Sequence, residues 1–217
     1  YSTKYEEMEV NDLYKILNEV KGTNIFFNIL GGNLFRHSKF EDIINFIKLN
    51  EIRCNFFIHS SIIDFKNIEK VLNCGAKIVI LVDLFHTDSN LLTNIQLLLN
   101  LHKDRRIMIH FAVRSIKNLN KIYEIIDSLK IINYQITPFL DGGNIKFFEK
   151  NVYIRKRELL NQRLTMRDIF SRLNVNLNKY GQLNINTRGD VFSDFFYNKI
   201  GNIKEESLEA NTKYLLF

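Results

Sequence analysis

Chain-breaking residues are scarce in this protein: its 217 residues hold one proline and nine glycines, and tryptophan is absent. So little Pro and Gly excludes a collagen-like or Pro-rich chain. No stretch reads as a flexible linker, and the only compositional bias is toward Asn, Ile and Lys. Cysteine is equally scarce. Cys54 and Cys74 lie far apart, which excludes both a disulfide framework and a metal knuckle and fits a reducing, cytoplasmic setting. No apolar run reaches the roughly 18 residues that a membrane-spanning helix needs, and none resembles a signal peptide. A strong charge of one sign is also lacking. Thirty Lys+Arg against 24 Asp+Glu leave a net charge of +6, spread along the chain. The nearest thing to a basic patch, Arg155-Lys156-Arg157 beside Tyr153, reads as a solvated helix start. Nucleic-acid binding is therefore not expected, and an acidic partner is permitted without being required.

Hydrophobic residues make up 46% of the chain, enough for a core in one large domain or one domain with a small extension. Helical spacing runs over 10–20 (Leu13, Ile16, Leu17, Val20) and 40–49 (Phe40, Ile43, Ile44, Ile47), then over 64–74, 89–102 and 115–129. Gly75 closes the helix over 64–74 as a left-handed residue, and Ser115 caps the helix to residue 129. Apolar runs at 24–30, 53–58, 77–82, 106–113 and 131–137 predict buried strands. A βα unit of about 25 residues repeats through this region. That succession predicts a parallel sheet covered by helices, with right-handed crossovers. The expected fold is α/β, an incomplete (β/α) barrel rather than a doubly wound sheet. Chemistry in such a fold sits at the C-terminal ends of the strands. Those ends carry Gly31-Gly32-Asn33, His59-Ser60-Ser61, Asp83 and His86, Arg114 and Pro138.

The pattern changes after residue 140. Residues 141–159 read as a loop followed by an extended stretch, and "LTMRDIFSRL" as a short helix. Leu183 and Ile185 alternate with Asn184 and Asn186, Arg188-Gly189-Asp190 makes a turn, and Val191-Phe192 starts a return strand. Two parts are therefore expected, 1–140 and 141–217.

Each candidate site has an ordinary reading beside it. Gly31-Gly32 suits close approach of a small ligand to the backbone, or simply a tight strand-to-helix turn. His59, Asp83 and His86 have the chemistry of a divalent-metal site, as in a barrel hydrolase. Polar residues collect at a barrel mouth in any case, so no metal is expected. His110, inside an apolar strand, reads as a satisfied core histidine, and His37 and His102 as surface residues. Asp141-Gly142-Gly143 reads as a turn, since no helix clearly follows the glycines to make a phosphate loop. Phe147-Phe148 and Phe195-Phe196 read as core, or as a peptide- or partner-docking surface.

Several short stretches, in order and at consistent spacing, resemble the radical S-adenosylmethionine (radical SAM) family. Gly31-Gly32-Asn33-Leu34 stands where that family has Gly-Gly-Glu-Pro after a strand. "FFIHSS" (56–61) and "ILVDLF" (80–85) match two later strand ends. "LNINTRGDVFSD" (183–194) and "KIGNIKEESLEA" (199–210) resemble the SPASM domain, the auxiliary-cluster extension of peptide-modifying members. The resemblance implies a partial barrel over 1–140 and a SPASM-like extension over 141–217. It places the methionine end of S-adenosylmethionine at Gly31, Gly32 and Asn33.

Departures from the family pattern shape the functional expectation. The three-cysteine motif for a [4Fe-4S] cluster, which needs soft thiolate ligands, is absent from these residues. Asn33 replaces a carboxylate whose charge-assisted hydrogen bonds to the cofactor's ammonium would be about twice as strong as neutral ones. The auxiliary cysteine expected after "DVF" falls near Ser193-Asp194. Retained fold with missing ligands resembles the degenerate pseudo-radical-SAM proteins of Bacteroidales peptide-maturation systems. The resemblance thus implies a non-catalytic protein with a vestigial S-adenosylmethionine site and no cofactor. Its expected role is to bind or scaffold a precursor peptide, or a radical SAM maturase, in ribosomal peptide modification. The alternative is an active radical SAM enzyme, with S-adenosylmethionine and a [4Fe-4S] cluster, whose cysteines lie upstream of Tyr1.

Overall fold

A computed structural model describes residues 6–23, 25–84, 90–101, 106–139, 143–151, 183–192 and 199–213. Contacts divide the chain into two compact units, Asn24–Ile154 and Tyr1–Thr23 with Arg155–Phe217. The first helix, α1 (Val10–Val20), therefore groups with the C-terminal residues although the strands that follow it do not.

The larger unit alternates strand and helix: β1 (Phe27–Ile29), α2 (Phe40–Leu49), β2 (Cys54–His59), α3 (Phe65–Asn73), β3 (Lys77–Asp83), α4 (Leu91–Leu101), β4 (Ile107–Val113), α5 (Ile116–Leu129), β5 (Tyr134–Pro138) and α6 (Ile145–Asn151). α2 to α5 form where the 3.6-residue period predicts. α2 buries Phe40, Ile43, Ile44 and Ile47 on one stripe. Asp64 accepts from the Asn67 N–H (3.2 Å) to open α3, which ends at Gly75 with φ +91°. Ser115 Oγ accepts from the Asn118 N–H (3.2 Å) to open α5, as its sequence predicts. α5 closes on Lys130 in the left-handed region rather than on a glycine.

The five strands lie side by side in sequential order, all parallel. Sequential order means that the strand order never reverses, so the sheet has no topological switch point of the doubly wound kind. All C-terminal strand ends therefore gather on one rim. Register sorts the side chains onto two unequal faces. Phe56, Ile78 and Ile107 lie in one row, Ile58, Ile80 and Ile109 in the next, and Val82 and Phe111 beyond; all are buried. Each such side chain contributes about 1.5–3 kcal/mol of transfer free energy, set against the entropy of ordering the chain. The opposite face carries Asn55, Phe57, His59, Leu81, Asp83, Met108 and His110, all only half-buried. β2 and β4 thus alternate, while β3 comes closest to the continuous burial expected of a parallel strand.

The seven-residue helix α6 stands where the sequence reads as loop and extended chain. Asn144 prepares it: its Nδ2 donates to the carbonyls of Arg114 (3.1 Å) and Phe139 (2.9 Å), and its own carbonyl accepts from Phe147 N. The bond to Arg114 spans 30 residues and is invisible to local periodicity. "LTMRDIFSRL" lies outside the described residues.

In the smaller unit α1 buries Leu13, Ile16, Leu17 and Val20. The antiparallel strands β6 (Asn184–Ile185), β7 (Asp190–Phe192) and β8 (Lys199–Asn202) stand in that order, and α7 (Leu208–Lys213) follows. The β6–β7 pair with a turn at Arg188-Gly189 is the hairpin the sequence predicts. Among the described residues no helix is long and apolar enough to cross a membrane.

Candidate functional site

The rim formed by the C-terminal strand ends is built from the residues the sequence places there. Gly31 and Gly32 follow β1 and are both exposed. Neither has a positive φ. A Cβ at Gly32 would meet nothing within 4 Å, and one at Gly31 would meet only the movable Leu34 Cδ2 at 3.0 Å. The turn itself therefore does not demand glycine at Gly32, and this stretch of backbone stands open to an approaching group. Asn33 is committed locally: its Oδ1 accepts from the Phe35 N–H (3.2 Å) and caps the helical turn Leu34–Arg36.

Around the same rim the polar groups are paired with one another. His59 Nδ1 accepts from the Ser61 N–H (3.2 Å) and lies 2.7 Å from Ser61 Oγ. That is a local cap of the turn Ser60–Ile62. Arg114, just past β4, donates to Asp83 at the end of β3 (2.7 Å). Their side chains are only 19% and 16% exposed, and the guanidinium stacks 4.8 Å from the Phe139 ring centroid. The sequence lists both residues at the rim; their pairing depends on β3–β4 register, which sequence does not supply.

His110 is not part of the helix-side core. It lies on the half-covered face, with Nε2 2.8 Å from Thr137 Oγ1 of β5. Its Nδ1 is buried with no hydrogen-bond partner. Burial holds its pKa below the ordinary histidine value. His86 lies outside the described residues, as do His102, Gly142, the Arg155–Arg157 patch and Phe195-Phe196. Among the described residues no group of three His, Cys, Asp or Glu could hold a metal ion.

The cysteines do not suit an iron–sulfur cluster. The sequence holds two, both buried and unbridged. Burial, reinforced by the charge on Cys74, pushes the Cys54 thiol up to about 12, and burial also raises Cys74. Cluster ligation requires thiolates, commonly four of them. For S-adenosylmethionine the open backbone at Gly31-Gly32 is compatible with a bound amino-acid end. Asn33, beside these glycines, offers an amide rather than a carboxylate to an ammonium, and its Oδ1 is already used as a cap.

No family model matches the sequence, and no curated protein does. Among solved structures the fold is similar to that of SuiB from Streptococcus suis. Against SuiB bound to S-adenosylmethionine the TM-score is 0.65 at 12% identity, covering 94% of this chain and 58% of SuiB. Against SuiB bound to its precursor peptide SuiA it is 0.67 at 13% identity, covering 96% and 58%. The likeness is one of fold, and the chain spans less than two thirds of the length of SuiB.

Proposed function

We propose that this chain is a non-catalytic, radical-SAM-like protein that binds a precursor peptide, or a maturase acting on one, in the cytoplasm. In this reading Asn24–Ile154 is a partial (β/α) barrel and the β6–β8 sheet a SPASM-like element without its cluster. The pseudo-radical-SAM proteins of Bacteroidales peptide-maturation systems remain the group it resembles. The observation that carries the proposal is the state of the rim. The fold is shared with a protein crystallised with S-adenosylmethionine and with a precursor peptide. Yet Asn33 is an amide spent on a local cap, and both cysteines are buried with raised pKa values. A half-covered sheet face whose rim ties His59 to Ser61 and Arg114 to Asp83 suits binding better than redox chemistry.

One observation favours a second reading, an active radical SAM enzyme with cluster ligands outside these residues. Gly32 is open, and no backbone strain requires it. The deciding experiment is iron and sulfide analysis of the full-length protein, purified anaerobically and reconstituted. Background iron, with S-adenosylmethionine left uncleaved, supports the non-catalytic reading. About four irons per chain, the content of one [4Fe-4S] cluster, together with cofactor cleavage, establishes the enzyme. Gly32→Ala separates the fates of the cofactor site. It is expected to leave the melting temperature unchanged, since its Cβ meets open space. Calorimetric binding of S-adenosylmethionine by the parent, lost in this variant, would show that the site is live rather than vestigial.

A further inference from the structure

The half-covered sheet face has a concavity at the end opposite the rim. A cavity of about 570 Å³ opens there, at the N-terminal ends of β2, β3 and β4. Its walls include Phe26, Asn55, Lys77, Met108, Ile132 and Asn133. That volume is within the roughly 300–1,000 Å³ of small-molecule sites, which likewise combine apolar walls with a few polar groups. Phe26 and Ile132 are 48% and 75% exposed, an unusual cost for apolar side chains facing one concavity.

The charges select the ligand. Arg106 also lines the cavity, but its Nη1 donates to the Leu72 carbonyl (2.6 Å) at the end of α3. Lys77 instead holds its ammonium 5.8 Å from the Phe26 ring centroid, over an aromatic wall. An ammonium beside an aromatic ring, in a cavity that the Arg106 guanidinium makes more positive still, suits a carboxylate carried on an apolar or aromatic body. Asn55 gives its Nδ2 to Asn28 Oδ1 (2.9 Å) and so lends the cavity an acceptor oxygen. An N–H next to the ligand's carboxylate would complement it.

We propose that this cavity binds an N-acylated aromatic amino acid or a close chemical relative. The carboxylate pairs with Lys77, the N–H with Asn55, and the ring packs among Phe26, Met108 and Ile132. The proposal does not rest on the reading of the rim, because the two places occupy opposite ends of the strands.

The test is an NMR and calorimetric titration of the 217-residue chain with N-acetyl-phenylalanine, alongside its uncharged carboxamide. Saturable binding is expected, with shifts at the amides of Asn55, Lys77 and Met108. The carboxamide and the Lys77→Met variant should each weaken it by about fivefold or more, the worth of a charge-assisted hydrogen bond. Met108→Trp, which fills the cavity, should abolish it in a protein whose melt shows it folded, whereas Gly32→Ala should not change it. Absence of saturable binding overturns the proposal. So do equal affinity for acid and carboxamide, or undiminished binding in folded Lys77→Met.

Discussion

The stretch "NTRGD" shows how far single residues determine the smaller unit. Gly189 has φ +84°, and a Cβ there would meet Ile203 Cγ1 at 2.7 Å, so both backbone and packing demand glycine. Asn186 Oδ1 accepts from the N–H groups of Arg188 and Asp190 (3.0 Å each), closing the turn from inside. Asp190 receives Lys199 Nζ (2.6 Å), Asn186 Nδ2 (3.1 Å) and Asn202 Nδ2 (3.0 Å). These donors, Lys199 first, hold its carboxyl at about 2, below an ordinary value of 3.8. A carboxyl depressed on folding stabilises the native state fully above its unfolded pKa. That contribution fades as pH falls from about 4 towards 2. Asp190→Asn is therefore expected to flatten the acid limb of a pH–stability curve in that window, read by urea melts at stepped pH. A limb unchanged by the substitution would show that the three donors do not act on Asp190. The "GNI" that follows belongs to the same cluster, since Asn202 also takes the Lys204 N–H (2.8 Å) and Ile203 is buried against Gly189. The two stretches that suggested a SPASM domain thus have a structural reason to be what they are, independent of any cluster.

Among elements, the sheet was the most legible feature, because apolar runs and amphipathic helices recur at even spacing and a parallel sheet follows from alternation. Strand parity puts Ile109 and His110 on opposite faces, yet His110 reads as a satisfied core histidine in the sequence, because nothing local indicates that the second face stays half-covered. Cross-strand partners were equally hidden: Asn28–Asn55, His110–Thr137 and Asp83–Arg114 all depend on register. The last pair ties the ends of β3 and β4 with little exposure, so removing Arg114 takes an opposite charge away from a mostly buried carboxylate. Arg114→Met should cost about 3 kcal/mol, in the range for broken buried pairs. The double variant with Asp83→Asn should cost less than the two single changes added together. Chemical denaturation of the four proteins checks both statements, and additivity within about 0.5 kcal/mol would mean the pair is not coupled. α6 was missed for a different reason. Seven residues make fewer than two helical turns, too few for a period to register, and its start is fixed by Asn144 reaching back to residues 114 and 139.

Across the whole molecule, the least legible fact is the membership of α1. Its amphipathic stripe foretold a helix, yet an amphipathic stripe does not name the surface it covers. Polar contacts supply the address. Glu19 Oε2 accepts from the Leu208 N–H (2.6 Å) at the start of α7, Asp12 pairs with Lys204 (3.2 Å), and Lys15 Nζ donates to the Ile203 carbonyl. Each joins residues nearly two hundred positions apart, so loop closure makes them costly to form and reporters of the native state. A cavity introduced in α1 should therefore loosen the smaller unit selectively. Leu17→Ala removes a side chain with no exposure, a change that costs about 2–5 kcal/mol in packed cores. Hydrogen exchange should quicken at Val191, Gly201 and Ile203, while Ile80 and Ile109 in the parallel sheet keep their protection. Uniform acceleration throughout would mean that the two units open as one cooperative body. Unchanged exchange at Ile203 would mean that α1 does not support the hairpin.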